Sequence, residues 1–132
     1  MSIDKVSHRK LVRTFTAIGP YLRELKTCET QYFFDCLSVC ASAKALPEAR
    51  EFWGWWLTLD TQDGEQFEFH YQLGFFDASG EWQLKAIPKK HQAEVARTLR
   101  DFYDKLGVCM DGLALTVRPS IALGTDHLLS PA

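Results

Sequence analysis

Long apolar runs are missing from this 132-residue chain, and so are the short motifs that announce catalysis. No stretch approaches the roughly 20 consecutive apolar residues that a membrane-spanning helix needs. The N-terminus, Met1-Ser2-Ile3-Asp4-Lys5-Val6-Ser7-His8, lacks the apolar core of a secretory signal, so the expected location is cytoplasmic. There is no Gly-rich phosphate loop, no HExxH and no GxSxG. His8, His70, His91 and His127 stand at no metal-ligand spacing from another His or a Cys. No metal site and no cofactor are therefore expected. His70 shares a strand phase with Glu68, but without a cleft of convergent groups this pair reads as two solvated side chains on a wet face, not as an acid and base.

Cysteine is sparse, and its four positions exclude a disulfide framework. Cys36 and Cys40 fall in an apparent strand, which separates them by about 13 Å. That is beyond the roughly 7 Å reach of a disulfide and too far for both to ligate one metal ion. Cys28 and Cys109 belong to no CxxC. All four read as small buried hydrophobes in a reducing compartment.

Net charge is also small, at −2, but it is unevenly spread. Residues 1–26 carry six Lys/Arg against two acids (+4), residues 27–81 two against ten (−8), and residues 82–106 six against three (+3). A sheet that stacks single-stranded nucleic acid pairs its aromatics with a positive groove. Here the aromatic middle is the acidic part, which argues against RNA or DNA binding through it.

What the chain does have is Arg50-Glu51-Phe52-Trp53-Gly54-Trp55-Trp56, with three of its four tryptophans. A strand sends alternate side chains to opposite faces, so no phase places all four rings on one side. Either both faces of this strand are covered, or some rings are left for a partner. Trp, Tyr and Arg are the residues most enriched in interface hot spots. By periodicity alone Phe52 and Trp55 lean toward the core, and Arg50 toward a solvated loop.

The rest of the chain reads as one α+β domain over residues 1–120, followed by a loose tail at 121–132. Leu11, Phe15, Ile18 and Leu22 form a helical stripe from about Ser7, which Gly19-Pro20 interrupts. Tyr21-Leu22-Arg23 is expected to form a separate short turn. Residues 31–41 read as a central strand and residues 51–60 as the next, with a bulge expected at Gly54. Gln62-Asp63-Gly64 marks a hairpin. Phe67, Phe69, Tyr71, Leu73 and Phe75 alternate with polar residues, giving one buried and one wet face. A shorter strand is expected at 82–86. Pro88 opens a second helix, whose stripe of Val95, Leu99, Phe102, Tyr103 and Leu106 stops at Gly107. A last edge strand is expected at 113–117. The architecture implied is an antiparallel sheet of four to five strands with helices packed against it.

Several segments resemble a known family. Phe15-Thr16-Ala17-Ile18-Gly19-Pro20-Tyr21-Leu22-Arg23-Glu24 is similar to the N-terminal signature of the Crl family, bacterial proteins that bind the stationary-phase sigma factor. The similarity continues through Phe33–Cys40 and is strongest at Pro47-Glu48-Ala49-Arg50-Glu51-Phe52-Trp53-Gly54-Trp55-Trp56. It runs on through Tyr71–Asp77 and Thr98–Tyr103, covering about residues 9–106, and is weak after Gly107. The resemblance implies a non-catalytic transcription activator. Such a protein binds the second domain of sigma-S and promotes its assembly with core RNA polymerase. It also touches the polymerase clamp, reads no DNA sequence itself, enters no membrane and acts as a monomer. It further implies sigma-binding roles for Tyr21, Arg23, Arg50, Phe52 and Trp55, with Arg50 paired to an acidic motif and Tyr21, Phe52 and Trp55 as the apolar anchor beside it. The alternative is a small-ligand or carbohydrate-binding module that uses Trp53, Trp55 and Trp56 as a platform.

Overall fold

The first helix starts where a side chain can satisfy its orphaned backbone. The Ser7 hydroxyl accepts from the Lys10 backbone N–H at 3.1 Å, the usual service of an N-cap serine. In the computed structural model, which describes residues 6–42, 45–120 and 129, helix α1 spans His8–Ala17 and buries Leu11 and Phe15. Gly19-Pro20 then ends the helical path. The expected turn at residues 21–23 is confined to Pro20-Tyr21, and Leu22 and Arg23 run extended. The Arg23 N–H donates to the Phe33 carbonyl (2.8 Å), and the Asp35 N–H donates to the Tyr21 carbonyl (3.0 Å). Leu22 bridges Phe34, so this segment runs antiparallel along the margin of the sheet. One 3-10 turn, Glu24–Lys26, follows.

Three long strands come next: β1 Gln31–Cys40, β2 Phe52–Thr61 and β3 Gln66–Phe76. They pair antiparallel in sequence order. Asp63 turns β2 into β3, its Oδ1 accepting from the Glu65 and Gln66 N–H groups at 2.8 and 2.9 Å. The strand expected at 82–86 is shorter, a two-residue β4 at Trp82–Gln83 paired with the end of β3. Helix α2 covers Lys89–Gly112 and runs through Gly107 instead of stopping there. A helical glycine costs about 1 kcal/mol relative to alanine, and burial of Leu106 and Met110 on either side of it offsets that. The longer helix displaces the last strand. β5 is Thr116–Pro119, and it pairs parallel with Gln66–Phe69 of β3. A strand that returns after a helical crossover is parallel to its neighbour. Pro119 is tolerated because β5 lies at an edge. The class is therefore α+β, with a five-stranded sheet that is mostly antiparallel. The expected tail at 121–132 lies, apart from Leu129, outside the described residues.

Both helices lie on one face of this sheet. Tyr32 and Phe34 of β1, Trp55, Leu57 and Leu59 of β2, and Phe67, Phe69 and Tyr71 of β3 form a core with Leu11, Phe15, Val95, Leu99, Phe102, Leu106 and Met110. Trp55 is completely buried. Its ring stacks with Tyr21 at 6.0 Å and lies 5.0 Å from Phe102. Its indole N–H donates to the Thr98 hydroxyl oxygen at 3.1 Å, which also sits 2.6 Å from the Ser38 hydroxyl. Ser38 is the extra residue of a register slip between Leu37 and Val39. The irregularity expected at Gly54 is thus carried by the strand opposite it. Gly54 has a different duty: a Cβ there would fall 2.0 Å from the Cys36 carbonyl oxygen.

Three outcomes follow from this packing. Trp55→Ala should lose about 3–5 kcal/mol of unfolding free energy in a denaturant titration, the usual cost of truncating a sealed aromatic. Gly54→Ala should cost about 2 kcal/mol or more, because backbone cannot yield as a side chain does. Burial pushes the Tyr32 hydroxyl up to about 12, against about 10 in an unfolded chain. Its neutral form therefore stabilises the fold below pH 10, and that contribution is lost between about pH 10 and 12. Tyr32→Phe should flatten this alkaline decline in a pH series of thermal melts.

Candidate functional site

The face of the sheet opposite the helices carries the side chains of alternate phase. Register assigns to it Phe33, Asp35 and Leu37 of β1, Phe52, Gly54, Trp56, Thr58 and Asp60 of β2, and Glu68, His70, Gln72, Gly74 and Phe76 of β3. Trp82 of β4 joins them beside Phe76, at 5.1 Å between rings. No helix among the described residues covers this side. Its two halves differ. Toward the β2–β3 hairpin it is polar, with Thr58, Asp60, Glu68, His70 and Gln72. Toward the other end it is aromatic, with Phe52, Trp56, Phe76 and Trp82 half-buried and Leu37 exposed.

At the centre of the aromatic half lies one carboxylate. Asp35 is only 4 % exposed, although it stands on the face without helices. Arg23 donates from Nε to Oδ1 at 2.6 Å, and Trp82 donates from its indole N–H to Oδ2 at 3.0 Å. A buried carboxylate is costly unless both its charge and its lone pairs are met, and these two donors meet them. Trp82 reaches Asp35 because Gly54 and Gly74 sit directly opposite each other on β2 and β3. A Cβ on Gly54 would stand 3.1 Å from the Trp82 ring, and one on Gly74 would stand 3.0 Å from the Trp56 ring and 2.3 Å from the Gln83 carbonyl oxygen. The two missing side chains leave a shallow track on which the indoles lie, with Trp56 and Trp82 5.0 Å apart.

Cations rim the aromatic half. Arg23 keeps 42 % of its side chain exposed, and Asp35 is its one ion-pair partner among the described residues. Arg50 is exposed, and its Nε donates to the Ala45 carbonyl oxygen at 3.2 Å. Each arginine is thus tethered to its own chain through Nε. A guanidinium held this way suits a carboxylate that it can grip with two parallel hydrogen bonds. Lys26 Nζ stands 4.7 Å from the centre of the Phe33 ring, which register places beside Thr58 in the polar half.

The five residues singled out in the sequence are not one contiguous cluster. Arg50 and Phe52 belong to the rim and the face without helices. Arg23 belongs there too, through Asp35. Tyr21 is half-buried on the helix side, 4.9 Å from the Phe102 ring, with Lys105 Nζ 6.0 Å from its own. Trp55 lies beneath Tyr21 and offers no surface to a partner, so its part in an anchor is to support that ring. Asp35 and Trp82 are not among those five. The signal for Asp35 was present, since it is the one charge in an otherwise apolar strand; Trp82 carried no such signal.

The platform of three indoles does not exist. Trp53 packs against Phe75 at 4.8 Å on the helix side, Trp55 is sealed, and Trp56 faces the other way. His70 and Glu68 form no acid–base pair either: His70 Nε2 sits 3.1 Å from the Gln72 side-chain nitrogen, and Glu68 lies 3.9 Å from Arg118. Cys28 departs from its expected burial. It is exposed, and a hydrogen bond with the Thr30 hydroxyl draws its thiol below the ordinary value. Burial pushes Cys36 and Cys109 up. All four cysteines are free.

Comparison with known proteins identifies the family. A family model described as sigma factor-binding transcriptional regulator Crl matches residues 1–127. A protein of Photobacterium profundum named sigma factor-binding protein Crl is 50 % identical over 99 residues, covering 75 % of this chain and 74 % of that one. Proteins of the same name from Vibrio cholerae and Vibrio vulnificus are 45 % and 44 % identical over 100 residues, covering 76 % of this chain and 77 % of theirs. With a full-length family match and relatives at this identity, the chain belongs to the Crl family of sigma factor-binding transcriptional regulators.

Proposed function

We propose that this protein binds the second domain of the stationary-phase sigma factor, sigma-S, and promotes its assembly with core RNA polymerase. Membership of the family makes it a sigma factor-binding transcription regulator and not an enzyme. The observation that carries the finer reading is the aromatic half-face without helices, with Arg23 held to Asp35 and Arg50 exposed near Phe52. Such a surface suits a partner that presents carboxylates beside an apolar patch. Arg50 takes an acidic motif of sigma-S, Arg23 adds a second cation beside Asp35, and Phe52 supplies an apolar contact. Tyr21 extends the anchor at the margin, and Trp55 fixes Tyr21 from below. Hot spots of this kind combine an aromatic anchor with an arginine in a site that excludes water.

The regulatory effect requires only modest energy. Raising holoenzyme occupancy by one or two factors of ten takes about 1.4–2.8 kcal/mol of coupling. A second contact, with the polymerase clamp, supplies this through effective concentration. The unit that acts is a single domain over residues 1–120, monomeric and cytoplasmic, which reads no DNA sequence. No described helix is long and apolar enough to cross a membrane.

Arg50→Ala tests the interface directly. It should abolish binding to the isolated second domain of sigma-S in a fluorescence-anisotropy titration. Unfolding free energy should move by no more than about 0.5 kcal/mol, as for an exposed substitution. If the variant binds as tightly as the parent, the proposed surface is wrong.

A further inference from the structure

We infer that Asp35 is a positioning residue of the sigma-binding face, setting the direction in which Arg23 presents its guanidinium; this rests on the functional reading above. Asp35 is 4 % exposed, and it faces away from the helices and the main core. A carboxylate in that position is expensive in an apolar setting and stays only if its partners hold it. Replacing it with an apolar residue would be the simpler way to complete a strand that otherwise reads Gln31-Tyr32-Phe33-Phe34 before it and Cys36-Leu37 after it. The side chain is instead held at both oxygens by donors from two distant segments, Arg23 at 2.6 Å and Trp82 at 3.0 Å.

These two bonds act differently. The Trp82 bond fixes the carboxylate, because the indole lies across the Gly54–Gly74 track and packs on Trp56 and Phe76. The Arg23 bond uses that fixed carboxylate as an anchor point. It engages Nε, which restrains the guanidinium plane. The side chain remains 42 % exposed. Freezing an arginine in its binding geometry beforehand reduces the entropy lost when a partner arrives. Arg50 is restrained less firmly, through a longer bond to a carbonyl. Asp35 thus contributes to recognition without meeting the partner.

The test is a double-mutant cycle read as affinity for the second domain of sigma-S. Arg23→Ala should weaken binding tenfold or more in the parent, but by less than twofold in an Asp35→Asn background. Asparagine has only one acceptor oxygen for two donors, and its amide confronts the other. A role confined to stability would leave the Arg23 effect the same size in both backgrounds, and that result overturns the inference. Arg23→Lys provides a second arm on an exposed side chain, independent of how well Asp35→Asn folds. Lysine keeps the charge but cannot bond Asp35 and still present a fork, so it should bind nearly as weakly as Arg23→Ala. Full affinity in Arg23→Lys would show that charge alone suffices and would also overturn the inference. The unsubstituted protein separates the two levels: if it fails to bind sigma-S, the functional reading falls, whereas tight binding by parent and variants alike defeats the roles of Asp35 and Arg23 and leaves sigma-S binding itself standing.

Discussion

A carboxylate buried on the side of the sheet that no helix covers organises this protein's functional surface. Asp35 ties the segment before β1, β1 itself and β4 into one arrangement through two hydrogen bonds. Those bonds require a tryptophan lying flat across two strands, which in turn requires the paired glycines 54 and 74. A side chain at either glycine would lift an indole away from the sheet or collide with backbone. The aromatic half-face depends on that chain of requirements.

The segment from residue 27 to 81 is strongly acidic in sequence, and its acids stand at both ends of the long strands. Asp60, Asp63, Glu65 and Glu68 gather at the β2–β3 hairpin, eight or more residues of strand from Phe52, which is about 27 Å at the rise of an extended chain. At the aromatic end Asp35 is paired with Arg23, Glu51 accepts from the Ala78 N–H, Asp77 accepts from the Ser79 and Glu81 N–H groups, and Glu81 precedes β4. The exposed arginines 23 and 50 supply attraction for an acidic partner there.

The two faces of β2 divide the aromatic run between stability and recognition. Trp53 and Trp55 go to the helix side, where α2 seals Trp55 against Phe102 and Thr98. Phe52 and Trp56 go to the side without helices. Residues near a binding surface thus include some that never touch the partner. Substituting Trp55 would damage binding through Tyr21 and the core, and only a comparison with stability would reveal it.

Much of this was legible from pattern. The alternation in β3 depends only on a local period of two, and it put Phe67, Phe69 and Tyr71 in the core. The stripe of α2 depends on a period of 3.6, and it put Val95, Leu99, Phe102 and Leu106 there. The motif at Arg50–Trp56 was enough to point to the family. Tertiary contacts decided what local rules could not. Gly107 looked like a helix end, but burial on either side carried the helix through it. That extra turn and the helical crossover made β5 parallel and moved it to residues 116–119. The slip at Ser38 fell on the strand facing Gly54 because only pairing defines which strand takes the extra residue. The partners of Asp35 lie 12 and 47 residues away in sequence, so no local period encodes them. The sequence by itself determined which residues could be buried and which family this is, since both depend on neighbours along the chain. The tertiary structure alone decided which rings are sealed and which donors hold Asp35, because each of those depends on segments meeting across the sheet.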